Sequence, residues 1–299
     1  WGLLPAVISA VLWMTYPFAL WLTKQPNSEL PFMVVFYAGL LLFWFGVVRR
    51  INTWPLYSIC GFLLGIAMLI RPFAIGLGLV MALVVWLVKC DVSKHSRLLM
   101  TMAILIGNTA AVLPWELWAY SQTGKVILLG TVGVGGMRDG LTFGADRKNY
   151  RKESNYSPDV TVVMSDFRAN LMGTETLSGI ATGVAKEARA HPVGITKLFL
   201  LKAARSWYGT DSLRNEGWIQ LIQFFYLLAL LWSIRNVWRL DGMRRWFALS
   251  VLLLVLYFWV MSIVGTSLLR YTVPVAGLVF LLMAGTFSAA RPGAKSSNA

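Results

Sequence analysis

The chain has 299 residues, of which 57% are hydrophobic and only 13% are charged, and its mean hydropathy is +0.64. A typical soluble domain has about 25% charged residues, so this composition excludes an ordinary soluble protein and also a disordered one. The net charge of +14 is explained by basic residues that collect in the cytoplasmic loops of a membrane protein. We therefore expect a lipid bilayer as the environment and no nucleic acid as a partner. Cys60 and Cys90 lie on separate apolar segments and indicate neither a disulfide framework nor a metal site.

Apolar segments long enough to be candidate membrane spans recur along the whole chain, since a spanning helix needs about 20 mostly apolar residues. The first begins at once, without a basic leader, so we expect the sequence to lack its true N-terminus. A proline disfavours helix at the residue before it, so Pro72 predicts a break at Arg71 that makes either two short tilted spans or one broken hairpin. Gly61 and Gly65 predict close helix packing in the third segment. The eight candidates cover residues 2–23, 31–48, 56–70, 73–89, 98–119, 217–235, 246–265 and 271–289.

The distribution of basic residues between the loops predicts the orientation. If the second segment ends in the cytoplasm, the short outer loops hold only Lys24, Arg71 and Arg270, while the cytoplasmic side holds many more. We therefore predict a multi-pass protein of the cytoplasmic (inner) membrane, with residues 120–216 on the extracytoplasmic side. The cytoplasmic set is Arg49, Arg50, Lys89, Lys94, Arg97, Arg235, Arg239, Arg244, Arg245, Arg291 and Lys295.

The segment 120–216 differs in composition from the apolar sequence around it and holds most of the acidic residues of the chain. It divides the chain into a five-span part (1–119), this extracytoplasmic loop region (120–216) and a three-span part with a cytoplasmic tail (217–299). Residues 124–160 predict irregular loop. The spacing of apolar residues predicts a helix over 166–190, and a second over 193–208 that lies in the membrane interface. The predicted fold class is therefore an all-α polytopic membrane protein with about eight spans and one long outer loop that contains interfacial helices.

Charged residues at the outer ends of the spans are the candidate functional groups, because charge at a bilayer boundary is costly and often functional. Arg71 and Arg270 have the planar fork that binds phosphate with two parallel hydrogen bonds. Glu29 and Glu116 lie beside the same ends, where a solvated turn, a helix cap or a solvated helix end is the structural alternative. His191 is either a helix-terminal residue or a ligand-binding one. We expect these ends to converge around one cationic cavity beneath the long loop.

Five short stretches occur in an order typical of one enzyme family. They are Tyr16-Pro17 with Thr23 and Glu29-Leu30-Pro31-Phe32; the glycine-rich run from Gly61 to Arg71-Pro72; Leu113-Pro114-Trp115 with Tyr120 and Gly124; His191-Pro192 with Lys202 and Trp207; and Arg270-Tyr271 with Pro274. In this order the chain resembles the polytopic GT-C glycosyltransferases, the group of the dolichyl-phosphate-mannose protein mannosyltransferases and the bacterial aminoarabinose transferase of lipid A.

The resemblance implies transfer of a sugar from a polyprenyl-phosphate donor to a hydroxyl acceptor, on a lipid, glycan or protein, at the extracytoplasmic face. Such chemistry needs cationic groups on the leaving phosphate and a carboxylate for the acceptor's proton. The resemblance assigns Glu29 as an auxiliary acid. Arg71 and Arg270 are the candidates for binding the leaving phosphate, with Lys202 behind them. Tyr271, His191 and Glu116 are the further candidate substrate-binding residues.

The chain departs from the family at the principal catalytic aspartate, which the family carries in its first outer loop. No aspartate precedes Asp91 here, so we expect this polypeptide to lack the catalytic base. No cofactor is implied with certainty, and a divalent metal stays possible. One alternative is an O-antigen polymerase or ligase, for which Arg138, Arg147 and Arg151 of the long loop would matter more. The other is a transporter or flippase, which predicts broken spans and polar groups near the middle of the membrane.

Overall fold

The computed structural model describes residues 2–24, 26–51, 53–88, 92–124, 132–143, 156–171, 173–174, 176–210 and 215–289. Within these ranges all regular structure is helical, which confirms the all-α class. The α helices are α1 Leu3–Thr15, α2 Pro17–Thr23, α3 Glu29–Val48, α4 Trp54–Ile70, α5 Leu77–Leu87, α6 Lys94–Thr123, α7 Val132–Leu141, α8 Pro158–Leu171, α9 Leu177–Ala190, α10 Pro192–Arg205, α11 Glu216–Val237, α12 Gly242–Val264 and α13 Val273–Ala289.

Each of the eight apolar segments contains helix, and four of those helices are long and apolar enough to cross a bilayer: α3, α6, α11 and α12. The first segment is divided at Tyr16 into α1 and α2, which meet at 60° and count as a fifth span if they are taken together. Pro17 explains the bend, because it begins α2 at a position where a proline cannot continue α1. The remaining apolar helices, α4, α5 and α13, are shorter. The structure is therefore that of a helical membrane protein, and the number eight stays a prediction.

The predicted break at Arg71 is present. Helix α4 ends at Ile70, Arg71 is extended (φ −137°, ψ 101°), and Pro72–Ala74 form one 3₁₀ turn before Gly76 begins α5. Gly76 has φ +85°, a left-handed conformation that a glycine adopts at little cost. The hydroxyl of Tyr257 on α12 donates a 2.7 Å hydrogen bond to the carbonyl oxygen of Ile75. The broken segment is thereby fixed to a neighbouring helix.

Glycines bring α4 and α6 into backbone contact, as the Gly61/Gly65 spacing predicted. A Cβ at Gly61 would lie 2.0 Å from the carbonyl oxygen of Ile104. Gly107 of α6 has the reciprocal contact, since a Cβ there would lie 2.0 Å from the carbonyl oxygen of Ser58. The two helices run in the same direction, because α5 returns the chain between them. Their close approach fixes the height of Arg71 relative to the end of α6.

The helix predicted over 166–190 is wrong: α8 ends at Leu171 and α9 begins at Leu177. Gly173 separates them with φ +86°, and the Thr176 hydroxyl caps α9 by accepting a 3.2 Å hydrogen bond from Gly179 N. The helix predicted over 193–208 is confirmed as α10, which ends at Arg205. Irregular loop over 124–160 is wrong where α7 lies and where α8 begins, while 125–131 and 144–155 lie outside the described residues.

Helices α7 to α10 enclose a small hydrophobic cluster of their own. Val163 and Phe167 of α8 pack with Ile180 of α9 and Leu198 of α10, at 0–7% exposure. The membrane helices form a separate and larger cluster. The segment 120–216 is thus a packed helical unit over much of its described length.

Candidate functional site

A buried ion pair joins the start of α3 to the end of α4. Glu29 Oε1 lies 2.9 Å from Arg71 Nη1, and the two side chains are only 6% and 8% exposed. The pair forms because α3 begins, and α4 ends, at the same end of the helix bundle. Glu29 is therefore neither a solvated turn residue nor a simple helix cap. The α3 N-terminus is capped instead by Asn27, whose Oδ1 accepts hydrogen bonds from Glu29 N and Leu30 N at 3.1 and 3.4 Å.

Arg270 and Tyr271 complete the same cluster from the segment that precedes α13. Arg270 Nε lies 4.0 Å from Glu29 Oε1, so one carboxylate oxygen faces two guanidinium groups. The Arg71 and Arg270 guanidinium carbons lie 4.8 and 5.1 Å from the centre of the Tyr271 ring. The Tyr271 hydroxyl also accepts a 3.2 Å hydrogen bond from Arg270 Nη2. Four of the predicted site residues, from three separated parts of the chain, therefore meet.

Phe73, which the sequence did not single out, forms the base of this cluster. Its ring stacks on Tyr271 with centroids 4.7 Å apart, and it lies in the 3₁₀ turn that follows Arg71. The Arg71 guanidinium is buried beside these rings, whereas the Arg270 side chain is 37% exposed. A ligand at the surface of the cluster therefore meets Arg270 first. Arg71 lies deeper and is already engaged by Glu29.

Lys202 of α10 is fully buried but lies in a different setting. Its Nζ donates hydrogen bonds to the carbonyl oxygens of Gly140 (2.6 Å) and Gly265 (2.8 Å). Burial, together with the positive charge of Arg205, lowers the pKa of Lys202 to about 7. The structure thus shows Lys202 fastening α7 and α10 to the end of α12, rather than joined to the Glu29–Arg71 pair.

Arg205 lies one turn after Lys202 and is held by Glu216 at the start of α11. The Arg205 Nη1 and Nη2 atoms lie 3.1 and 3.0 Å from the two Glu216 carboxylate oxygens, a bidentate ion pair. The same carboxylate accepts a 2.9 Å hydrogen bond from Thr210 N. The Arg205 guanidinium also lies over the Phe143 ring, 4.8 Å from its centre. This arrangement ties the end of α10 to the start of α11, the first helix of the C-terminal part.

The two remaining predicted site residues lie on other elements. Glu116 is half-buried near the end of α6. The α4–α6 contacts pair Gly61 with Ile104 and Gly65 with Asn108, so the same register places Glu116 near the level of Arg71. His191 lies at the junction of α9 and α10, with Nε2 3.5 Å from Asp166 Oδ2. Its described ion-pair contact is therefore within the outer segment.

Arg138, favoured by the polymerase alternative, is held by its neighbour Asp139 at 3.4 Å. Arg147 and Arg151 lie outside the described residues. No family model, curated protein or solved structure gives a significant match to this chain. The arrangement of Glu29, Arg71, Arg270 and Tyr271 is therefore the principal guide to function. Chemically, it is a cationic site with one exposed guanidinium, backed by a buried carboxylate and an aromatic ring.

Proposed function

We propose that this chain carries the donor site of a membrane glycosyltransferase that moves a sugar from a polyprenyl-phosphate donor to a hydroxyl acceptor at the extracytoplasmic face. The observation that carries the proposal is the meeting of Glu29, Arg71 and Arg270, since three separate motifs of the resemblance contribute to one cluster. A lipid phosphate at a bilayer surface is a ligand that such a cationic cluster suits. Arginine is well shaped for it, because the guanidinium binds phosphate oxygens with two parallel hydrogen bonds.

In the proposed reaction the acceptor oxygen attacks the anomeric carbon and the bond from that carbon to the phosphate oxygen breaks. The negative charge that develops on the leaving phosphate is stabilised by Arg270, with Arg71 behind it. Glu29 is an auxiliary acid in this scheme: its carboxylate holds the two guanidinium groups at their separation. Tyr271 keeps both in place through its ring, and its hydroxyl also accepts a hydrogen bond from Arg270. The proton of the acceptor requires a further carboxylate as base.

The transporter alternative gains one observation, the 60° bend between α1 and α2, which adds a second broken segment to the one at Arg71. Discontinuous helices are typical of transporter binding sites near the bilayer midplane. The charged cluster, however, lies where α3 begins and α4 ends. A site at helix ends favours a ligand that lies at the membrane surface, such as a lipid phosphate.

The test measures binding of polyprenyl phosphate to the full chain in lipid nanodiscs, because binding does not require the catalytic base. Removing a charged hydrogen-bond donor costs about 1.5–3 kcal/mol, so Arg270→Ala is expected to weaken binding roughly 10- to 100-fold. The matched control is Arg244→Ala, which removes an exposed arginine at the start of α12. It is expected to leave the affinity unchanged.

A second arm supplies radiolabelled polyprenyl-phosphate sugars in proteoliposomes and follows release of the sugar. Unchanged affinity in both Arg270→Ala and Arg71→Ala would refute the site. Movement of a lipid or solute across the bilayer would favour the transporter alternative instead.

A further inference from the structure

Three metal-ligating side chains meet on the outer helices, away from the cluster proposed for the donor phosphate. Asp166 of α8, Glu187 of α9 and His191 each offer one ligand atom, and these atoms all lie within 4.8 Å of one another. In the tetrahedral geometry usual for zinc, ligand atoms bound at about 2.1 Å lie about 3.4 Å apart. The pair of His191 Nε2 and Asp166 Oδ2 is already at 3.5 Å, and the other ligand atoms need to approach by at most about 1.4 Å to bind the same ion.

Glu187 supplies an independent reason to expect a cation there. The residue is only 4% exposed, and its Oε2 atom is buried without a hydrogen-bond partner among the described residues. A buried, unpartnered carboxylate is costly, and a bound cation removes that cost. The only described ion pair at this place joins His191 to Asp166 and leaves Glu187 out.

The local backbone explains why the three side chains converge. Glu187 and His191 are four residues apart at the end of α9, so they lie on the same face, one turn apart. The His191 N–H donates a 2.7 Å hydrogen bond to the carbonyl oxygen of Glu187, and Pro192 then begins α10. Asp166 is brought opposite by α8, whose neighbouring residue Phe167 is buried in the cluster with α9.

We propose that Asp166, Glu187 and His191 bind one first-row divalent metal ion, of the Zn²⁺ or Mn²⁺ class. One imidazole nitrogen and two carboxylate oxygens are donors that such ions accept. The metal links α8 to the α9–α10 junction, and this proposal is independent of the sugar-transfer reaction. The metal would thereby also stabilise α10, the helix whose Lys202 donates a hydrogen bond to the carbonyl oxygen of Gly265.

The experiment measures zinc content and thermal stability of the full chain, purified with a histidine-free tag. The chain contains only two histidines, so His95 on α6, which is exposed, provides a matched control. We expect one zinc per wild-type chain. His191→Asn and Glu187→Gln are expected to weaken binding at least 10- to 100-fold, the loss that even outer-shell substitutions cause. His95→Asn retains the zinc.

Thermal stability is a second measurement, and it remains informative if one variant binds zinc only weakly. The wild-type midpoint is expected to rise with added zinc, whereas that of Glu187→Gln stays constant. Without metal the order reverses, because the amide removes an unpartnered buried carboxylate. A second control, Asp159→Asn, makes the same kind of change on α8 at a carboxylate paired with Lys197.

Three results would overturn the proposal. The first is a wild-type chain that takes up neither zinc nor manganese. The second is zinc binding that persists in His191→Asn and Glu187→Gln. The third is equal loss in Asp159→Asn and in the Glu187 variant, since the effect would then belong to the fold of the helices rather than to the three ligands.

Discussion

The buried pair of Glu29 and Arg71 provides a quantitative test of the cluster. Both side chains are almost completely buried, and removing one partner of such a pair costs about 3–5 kcal/mol, because the other charge is left uncompensated. Glu29→Gln leaves two guanidinium groups facing a neutral amide, so we expect the full cost. Arg71→Met leaves Glu29 with Arg270, whose Nε is 4.0 Å away. We expect a smaller loss, about 1–3 kcal/mol.

The double variant Glu29→Gln/Arg71→Met removes both buried charges, so that only the partly exposed Arg270 still faces the neutral amide. Its cost is expected to be no greater than that of Glu29→Gln alone, which gives an interaction energy of about 1–3 kcal/mol. The measurement is equilibrium unfolding in mixed micelles of rising SDS fraction, followed by far-ultraviolet circular dichroism. If the two single costs add within about 0.5 kcal/mol, the residues are not coupled and the description of the pair is wrong.

Three further predictions concern packing, pH and the outer segment. Gly61→Ala is expected to destabilise the protein by about 1–3 kcal/mol in the same unfolding assay, because the new methyl group overpacks α4 against α6. The control is Gly217→Ala, where a Cβ would have no atom within 4 Å; it is expected to be neutral or slightly stabilising. Between pH 7 and 10.5, Lys202 binds fewer protons in the folded state than in the unfolded state. The free energy of unfolding is therefore expected to rise with pH in this range, by at most about 1.4 kcal/mol per pH unit. Lys202→Met should reduce this slope, and an unchanged slope would refute the lowered pKa of Lys202. Glu216→Gln removes the carboxylate that pairs with the buried Arg205. It is expected to lower the free energy of unfolding by about 3–5 kcal/mol, seen as a lower midpoint in the same unfolding assay. A loss below about 1 kcal/mol would show that the pair contributes little.

The meeting of Glu29, Arg71 and Arg270 could be predicted from the sequence because it depends on few variables. Helices that cross a bilayer bring alternate helix ends to the same side, so the charge at each end can be placed by counting segments. The break at Arg71 was equally accessible, because a proline acts locally on the residue before it. The close α4–α6 contact followed from two glycines four residues apart.

The arrangement of the outer segment could not be obtained in this way. The spacing of apolar residues predicts a continuous helix over 166–190, but Gly173 adopts φ +86° and the Thr176 side chain caps a new helix. Local competition of this kind between a cap and a continued helix is not visible in the periodicity. The carbonyl partners of Lys202 were inaccessible for a different reason. They depend on how α7 and α10 pack against the end of α12, which is tertiary structure.

These tertiary contacts alter the role expected of the outer segment. The turn that carries Arg270 is held by residues that directly follow α10: Leu269 N donates to the carbonyl oxygen of Gly209 (2.9 Å), and the Thr272 hydroxyl donates to that of Ser206 (3.0 Å). Lys202 holds the same connection at Gly265. Because a guanidinium must be placed accurately to bind phosphate with both nitrogens, we propose that the helices of segment 120–216 act on the proposed donor site by positioning Arg270. Lys202 itself is not expected to touch the donor. A substitution there is nevertheless expected to reduce the affinity for the donor, because the turn before α13 becomes less ordered.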